Sequence, residues 1–391
     1  MMAIKLAFRN LLGAGLRTWL NVFILSLAYV IIIWHKGFLD GWDEQARRDL
    51  IKWEYGGGQY WQSNYDPYDP FTLEDSHAPI PGELIEHIGQ GNLTPILISQ
   101  GTIYPQGRIQ SVLIKGIDPN QNIIDFPTNQ LKQATGEEIP VMIGTRMAES
   151  TKLKLNDTFT IRWRDINGTF DAAEAKITGI FKNNLPATDA GQVWVAIESL
   201  REMKQMTGEA TIIVFDQKFS DQQSLENWEF KNLDFLLTEI TQLIDAKKAG
   251  GSIMWGVLIL LAMLAIFDTQ VLTIFKRQKE IGTYMAMGMT RGQVVKLFTV
   301  EGAMHGILAI VMAAVYGIPL LMYSAIKGFS MPENVDDYGL PIADKILPAY
   351  SIGLVVSTVL LVLIITVIVS YFPTRRISKM KPTEAIRGKL Q

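Results

Sequence analysis

The chain has 391 residues, room for two or three domains, with 48% hydrophobic residues and a formal net charge of −3. It has no cysteine, which excludes disulfides, thiolate metal sites and a lipobox, and nothing in it signals nucleic-acid binding. The apolar residues are concentrated in four blocks almost free of charge, each near the length that crosses hydrocarbon: Thr18 to Trp34, Ile253 to Phe275, Gly302 to Ile326 and Ala349 to Phe372.

In chain order, Lys5 to Leu16 places Lys5 and Arg9 four residues apart among leucines and a phenylalanine. This predicts an amphipathic helix on the inner leaflet, with Gly13 and Gly15 marking the bend into the membrane. The first apolar block is short, and Arg17 and Lys36 can snorkel at its ends. Its basic start is like that of a signal peptide, but Trp34-His35-Lys36 is no small-residue cleavage site, so it reads as an uncleaved anchor.

Between the first two blocks, β-branched runs predict strands at Gln110 to Ile117, Val141 to Ile143, Thr158 to Trp163, Ala175 to Ile180, Val193 to Ile197 and Thr211 to Phe215. Helices are expected from a Thr145 cap to about Lys152 and from Ser199 to Met206, giving an α+β domain. Residues 225–248 carry a helical pattern that leads without proline into the second block. Chemistry is sparse here. Glu83, Glu86 and His87 read as a solvated helix face rather than a metal site, and Gly56-Gly57-Gly58 lacks the Gly-Lys-Ser/Thr that closes a phosphate loop. Tyr55, Tyr60, Trp61, Tyr65, Tyr68 and Phe71 form an aromatic segment whose plainer reading is packing and whose sharper one is a binding lip.

The stretch FKRQKEIGTYMAMGMTRGQVVKLFTVEG, residues 275–302, separates the second and third blocks. Helix signals run past the second block to Met287, Gly288 suits a left-handed helix stop, and Thr290 with Gln293 makes a capping box for the next helix. The result is a rigid elbow with Tyr284, Met285, Met287, Met289 and Arg291 on or near its tip. Within the blocks or at their edges two acids stand out, Asp268 and Glu301. An intramembrane carboxylate costs roughly 3 kcal/mol unless paired or protonated, which makes Asp268 a functional candidate or a contact to Arg17 or a neighbouring chain.

Lys and Arg set the orientation. They dominate before the first block, after the last and between the second and third, whereas acids dominate between the third and fourth. Both termini and the elbow are therefore expected in the cytoplasm and residues 37–250 outside it. The expected fold is an α-helical membrane protein with four transmembrane helices and a large α+β periplasmic domain between helices 1 and 2. Its parts are residues 1–36, 37–250 and 251–391.

The elbow closely resembles that of the FtsX-like permeases of ABC transporters, the group containing the MacB exporters and the lipoprotein-releasing LolC and LolE subunits. Glu280, Ile281, Met285 to Met287, Gly288 and Glu301 carry the likeness; KLAFRNLLGAGLRTWLNV and FPTRRISKMKPTEAIRG match the family's entry and tail. Residues of the line LIKGIDPNQ to ITGIF resemble the MacB-like periplasmic core. The resemblance implies a bacterial inner-membrane permease whose elbow, through Lys279, Glu280, Tyr284, Met285, Met287, Gly288, Thr290 and Arg291, couples to a separate ATPase. It implies a non-catalytic chain that binds no cofactor, with ATP and magnesium held by that ATPase. Its partners would be the ATPase, a second permease chain in a homo- or heterodimer, membrane lipid, and a periplasmic or outer-membrane protein. Lipoprotein release is the favoured task. The alternatives are export of antibiotics or peptides through a conduit and relay of a signal to a cell-wall hydrolase.

Overall fold

The computed structural model describes residues 15–132, 137–219, 225–330, 345–375 and 377. The amphipathic segment expected from Lys5 lies almost wholly outside them, as do the side chain of Arg17, most of the loop after the third block and most of the basic tail. The described chain divides into two compact units. One takes the chain up to Trp42, Ile244–Phe329 and the part from Leu347 onward; the other takes Asp43–Leu243 with Ser330–Ile346.

Helix α1 runs Gly15–Leu50 and gives way to a single π-turn at Ile51–Tyr55. The triple glycine follows. A Cβ on Gly56 would come within 2.4 Å of the Phe215 carbonyl oxygen and one on Gly57 within 2.6 Å of that of Asp216, so these glycines let the chain lie against the end of a strand. Strands β1 (Gln59–Gln62) and β2 (Ala78–Pro79) come next, then α2 (Gly82–Gly89), β3 (Leu93–Tyr104), β4 (Gln110–Ile117), β5 (Ile139–Gly144) and α3 (Thr145–Thr151). The unit continues through β6 (Thr158–Arg164), β7 (Phe170–Phe181), α4 (Pro186–Ala190), β8 (Gln192–Ala196), α5 (Ile197–Lys204), β9 (Glu209–Ala210), β10 (Ile212–Phe215) and β11 (Trp228–Lys231).

Nine of these strands form one sheet in the order β11-β1-β10-β3-β4-β8-β5-β7-β6. The twelve-residue β3 bonds β10 near its start and β6 near its end, with Gly101 opposite Trp163 and Tyr104 opposite Thr160. That second pairing closes six strands into a barrel and removes their free edges. Alternation fills it: in β6, Phe159, Ile161 and Trp163 turn inward while Thr158, Arg162 and Arg164 stay exposed. Ile103, Ile114, Val141, Ile143, Ile177, Val193 and Val195 meet them with no exposed surface, capped by Met147 of α3 and Leu200 of α5. Each such side chain contributes about 1.5–3 kcal/mol by leaving water, so this core is the unit's main support.

All six expected strands are present, five of them within two residues at each end and β7 beginning at Phe170, five residues before the expected Ala175, while β1, β2, β3, β9 and β11 were not foreseen. Three expectations need correction. Thr145 is the first residue of α3 and does not cap it: its hydroxyl donates to the Phe181 carbonyl at 3.0 Å, with Gly144 in the cap position. The helix expected at Ser199 begins earlier, at Ile197, and ends at Lys204. Residues 225–232 are not helical, because β11 adds to the sheet beside β1.

From there Asn232 caps a short α6 (Leu233–Leu236), and α7 runs without interruption from Thr238 to Lys276. Then come α8 (Gln278–Ala286), α9 (Arg291–Lys327) and α10 (Ile352–Thr374). Among the described residues, four helices are long and apolar enough to cross a membrane, namely α1, α7, α9 and α10. The β-rich unit falls between the first two, in agreement with the expected layout. Val22, Leu25, Tyr29, Ile259, Ile266, Ala309 and Val362 pack the four helices together, while Val257, Leu261, Leu264, Val315 and Ile364 face outward. Small and hydroxylated residues bring the helices close. On α10, Thr358, Thr366, Ser370 and Thr374 are buried on one side, and a Cβ on Gly302 of α9 would meet the Ser370 hydroxyl oxygen at 2.4 Å.

Candidate functional site

The elbow begins where α7 ends. Arg277 departs from helical angles (φ −103°, ψ 20°), so α7 and α8 are two helices and not the single projecting one the sequence predicts. The ladder is barely disturbed, since Arg277 N still donates to Thr273 O and Ile281 N to Arg277 O, each at 3.0 Å. The Arg277 side chain accounts for the break. Its Nη1 donates to both carboxylate oxygens of Glu301 on α9, at 2.7 and 2.9 Å, and its Nε donates to Glu280 at 2.6 Å. The guanidinium also lies over the Phe298 ring, 4.9 Å from its centroid. Glu301 keeps only 9% of its side chain exposed and Arg277 18%, so this clamp ties α8 to α9 with little screening.

The far end of α8 closes by hydrogen bonds alone. Gly288 N donates to Met285 O and Met289 N to Tyr284 O, both at 3.1 Å, the paired pattern that ends a helix on a left-handed residue. Gly288 supplies that residue with φ +99°. Immediately afterwards Thr290 N donates to Gln293 Oε1 at 2.9 Å, and Gln293 N donates to the Thr290 hydroxyl at 3.3 Å. Residues 287–290 are thus held from both sides, as the sequence predicts.

Inside the bend a small core of Ile274, Ile281, Val294, Val295, Phe298 and Ile377 forms, with Tyr284, Met285 and Met289 packed half-buried against it. This corrects the picture of a tip carrying three methionines and a tyrosine. Met287 alone among them is fully outward, 68% exposed, beside exposed Gly288, Thr290 and Arg291. Lys279 and Glu280 are exposed on α8, nearer its start. The elbow thus offers one large apolar side chain, flanked by a cation, on a bend that cannot easily change its angle.

Of the two acids picked out, Glu301 belongs to the elbow. Asp268 lies on the exposed side of α7, about two turns before Lys276, so the structure does not bring the pair together. Its neighbours Thr269 and Gln270 are buried, and Asn21 of α1 donates to the Thr269 hydroxyl. Sequence reading missed the Arg277–Glu301 clamp. The only signal for it was a basic residue and an acid at the two ends of the elbow, 24 positions apart.

In the β-rich unit the aromatic segment proves mixed. Tyr60 is fully buried, whereas Tyr68 is 75% exposed and Phe71 92%. Tyr68 donates to Glu239 at 2.6 Å, and that bond, with burial second, pushes its hydroxyl up to about 12. His87 packs tilted against Phe219, and among the described residues no cluster suited to a metal ion occurs. Lys115 is buried on β4 with its amine 5.3 Å from the Trp194 ring centroid. Burial lowers its proton affinity, with Glu54 partly opposing.

Residues 252–382 match the family described as FtsX-like permease C-terminal. That range holds the elbow and three of the four long apolar helices. The chain is 20% identical to a lipoprotein-releasing system transmembrane protein LolC from Neisseria meningitidis, over 75% of this chain and 77% of that one. It is 25% identical to the ABC transporter permease YtrF of Bacillus subtilis over 46% of this chain and 43% of that one. A solved extracellular domain of the noncanonical ABC-type transporter YknZ from Gram-positive bacteria is 13% identical, covering 42% of this chain and 85% of that chain with a TM-score of 0.27, too low a likeness to assign a fold. Residues 252–382, which carry the elbow, thus match an FtsX-like permease domain, and along most of its length the chain is similar to LolC-type transmembrane proteins.

Proposed function

We propose that this chain transmits the ATP-driven motion of a separate ATPase to its β-rich unit, and that residues 275–302 are where the stroke enters. The observation that carries the reading is the elbow's construction: a bend clamped by Arg277–Glu301, stopped at Gly288, restarted by the Thr290 box and tipped with exposed Met287. Such a bend passes on a displacement because its two helices cannot pivot freely, and an exposed methionine adapts to an apolar cleft. Lys279, Glu280, Thr290 and Arg291 would flank the contact, with Tyr284 and Met285 bracing it from inside. The elbow would face the cytoplasm of a bacterial inner membrane, and the β-rich unit, read as the MacB-like domain, the periplasm. ATP and magnesium would stay with the ATPase, since no phosphate loop occurs in this sequence. A second permease chain would complete the pair, with Asp268 a candidate at that junction.

For cargo we favour lipoproteins, because the LolC relatives carry that task in their names and align with most of this chain. Combining Met287→Glu with Gly288→Val tests the transmission. The glutamate would bury an unpaired charge at the contact, and the β-branched residue is strained at a positive φ. The variant should insert and keep its β-rich unit folded, yet lose cargo-stimulated ATP hydrolysis and transport together. Normal values for both would reduce the elbow to a connecting loop.

A further inference from the structure

At the end of the helices remote from the elbow, α1, α7 and α10 enclose a cavity of about 460 Å3, a size ordinary for small-ligand sites. Its wall includes His35, Lys36, Asp40, Lys248, Trp255 and Ser351. Lys248 is paired with Asp40 at 3.1 Å. Lys36 has no ion pair among the described residues and rests its amine 4.8 Å from the Trp255 ring centroid. Ser351 caps α10, accepting from Leu354 N at 3.1 Å, so the positive end of a 23-residue helix also meets this wall. Counting Lys36, Lys248 and Asp40, with histidine neutral, the cavity carries one net positive charge.

Depth decides what would neutralise it. Lys36 lies two residues past the first apolar block, and Trp255 and Ser351 lie within three residues of the starts of the second and fourth apolar blocks. At that level and just inside it, Ile253, Val257, Ile352 and Val356 are exposed and apolar. A cation over an indole at the boundary, with greasy surface directly below, matches the two halves of a lipid and not a soluble anion. We propose that this cavity holds the headgroup phosphate of an anionic phospholipid, with Lys36 as its charge partner and the acyl chains along the exposed apolar residues beneath.

The proposal rests on the reading of the four long helices as membrane spans but not on coupling to an ATPase. Its test therefore reads lipid retention and not transport. The full chain, purified in detergent with added phosphatidylglycerol, should keep one such lipid per chain in native mass spectrometry. Lys36→Glu changes the local charge by two and should lower retention about thirtyfold. Lys36→Arg should keep it, and Lys327→Ala, a cation at the same end but outside the cavity, should leave it unchanged. Millimolar inorganic phosphate should not displace the lipid. Equal retention by wild type and Lys36→Glu would overturn the proposal. So would loss in Lys36→Arg or in Lys327→Ala, or displacement by inorganic phosphate, which would mark the cavity as a site for a free anion.

Discussion

The barrel and the elbow solve opposite problems with the same residue types. In the barrel, closure of β3 onto β6 leaves no edge, and the isoleucines and valines of six strands are buried against one another. In the elbow a core of a few side chains suffices only because Arg277 and Glu301 bind its two arms, and Met287 is left outside it. The elbow thus uses charge and capping to hold an exposed apolar tip at one angle, the tip that the proposed ATPase contact would cover, whereas the barrel buries its apolar groups within itself.

The largest effect expected from breaking this contrast is at the clamp. Glu301→Leu leaves the Arg277 guanidinium part-buried without its bidentate partner, which costs about 3–5 kcal/mol by the usual measure of broken buried pairs. Hydrogen exchange should rise in α8 and the start of α9, with the barrel amides unchanged. Uniform protection would mean that the clamp does not hold the elbow. Within the barrel unit the sign reverses at Lys115, a buried cation on β4 whose amine lies near the Trp194 ring. Lys115→Met should stabilise that unit by about 1–3 kcal/mol, read from its unfolding midpoint in urea. The lysine's folded affinity for a proton is lowered by burial, so its penalty is full at low pH and fades as pH rises toward the ordinary value of 10.5. The gap between variant and wild type should narrow over that rise, and a widening gap would refute the assignment. The smallest effect is at the cap. Thr290→Ala removes the hydroxyl of the box and should cost about 1 kcal/mol, seen as faster exchange at the first amides of α9 alone.

What the sequence made legible follows from the range of the interactions. Four apolar blocks, the left-handed stop at Gly288 and the Thr290–Gln293 box each depend on residues close in the chain, and each is where the pattern placed it. The strands were found from β-branched runs, but β3, with Pro95, Ser99 and Gly101 in its interior, and the four-residue β1 and β11 lack such a signature. They are strands because partners far along the chain pair with them. The break at Arg277 was hidden for the same reason. Nothing local to Gln278 or Lys279 ends a helix; Glu301, on the next helix, draws the arginine out of line.

The absence of cysteine makes the central claim directly measurable, because one introduced thiol reports alone. Met287→Cys, carrying a short photoactivated crosslinker, should capture an ATP-binding subunit when the complex is isolated from its own membranes. The same label on Phe235→Cys, an exposed position in the β-rich unit, should not. Capture of that subunit from position 287 and its absence from 235 is the predicted result. If position 287 labels only lipid or no protein while the intact complex hydrolyses ATP, the elbow is not where the stroke enters.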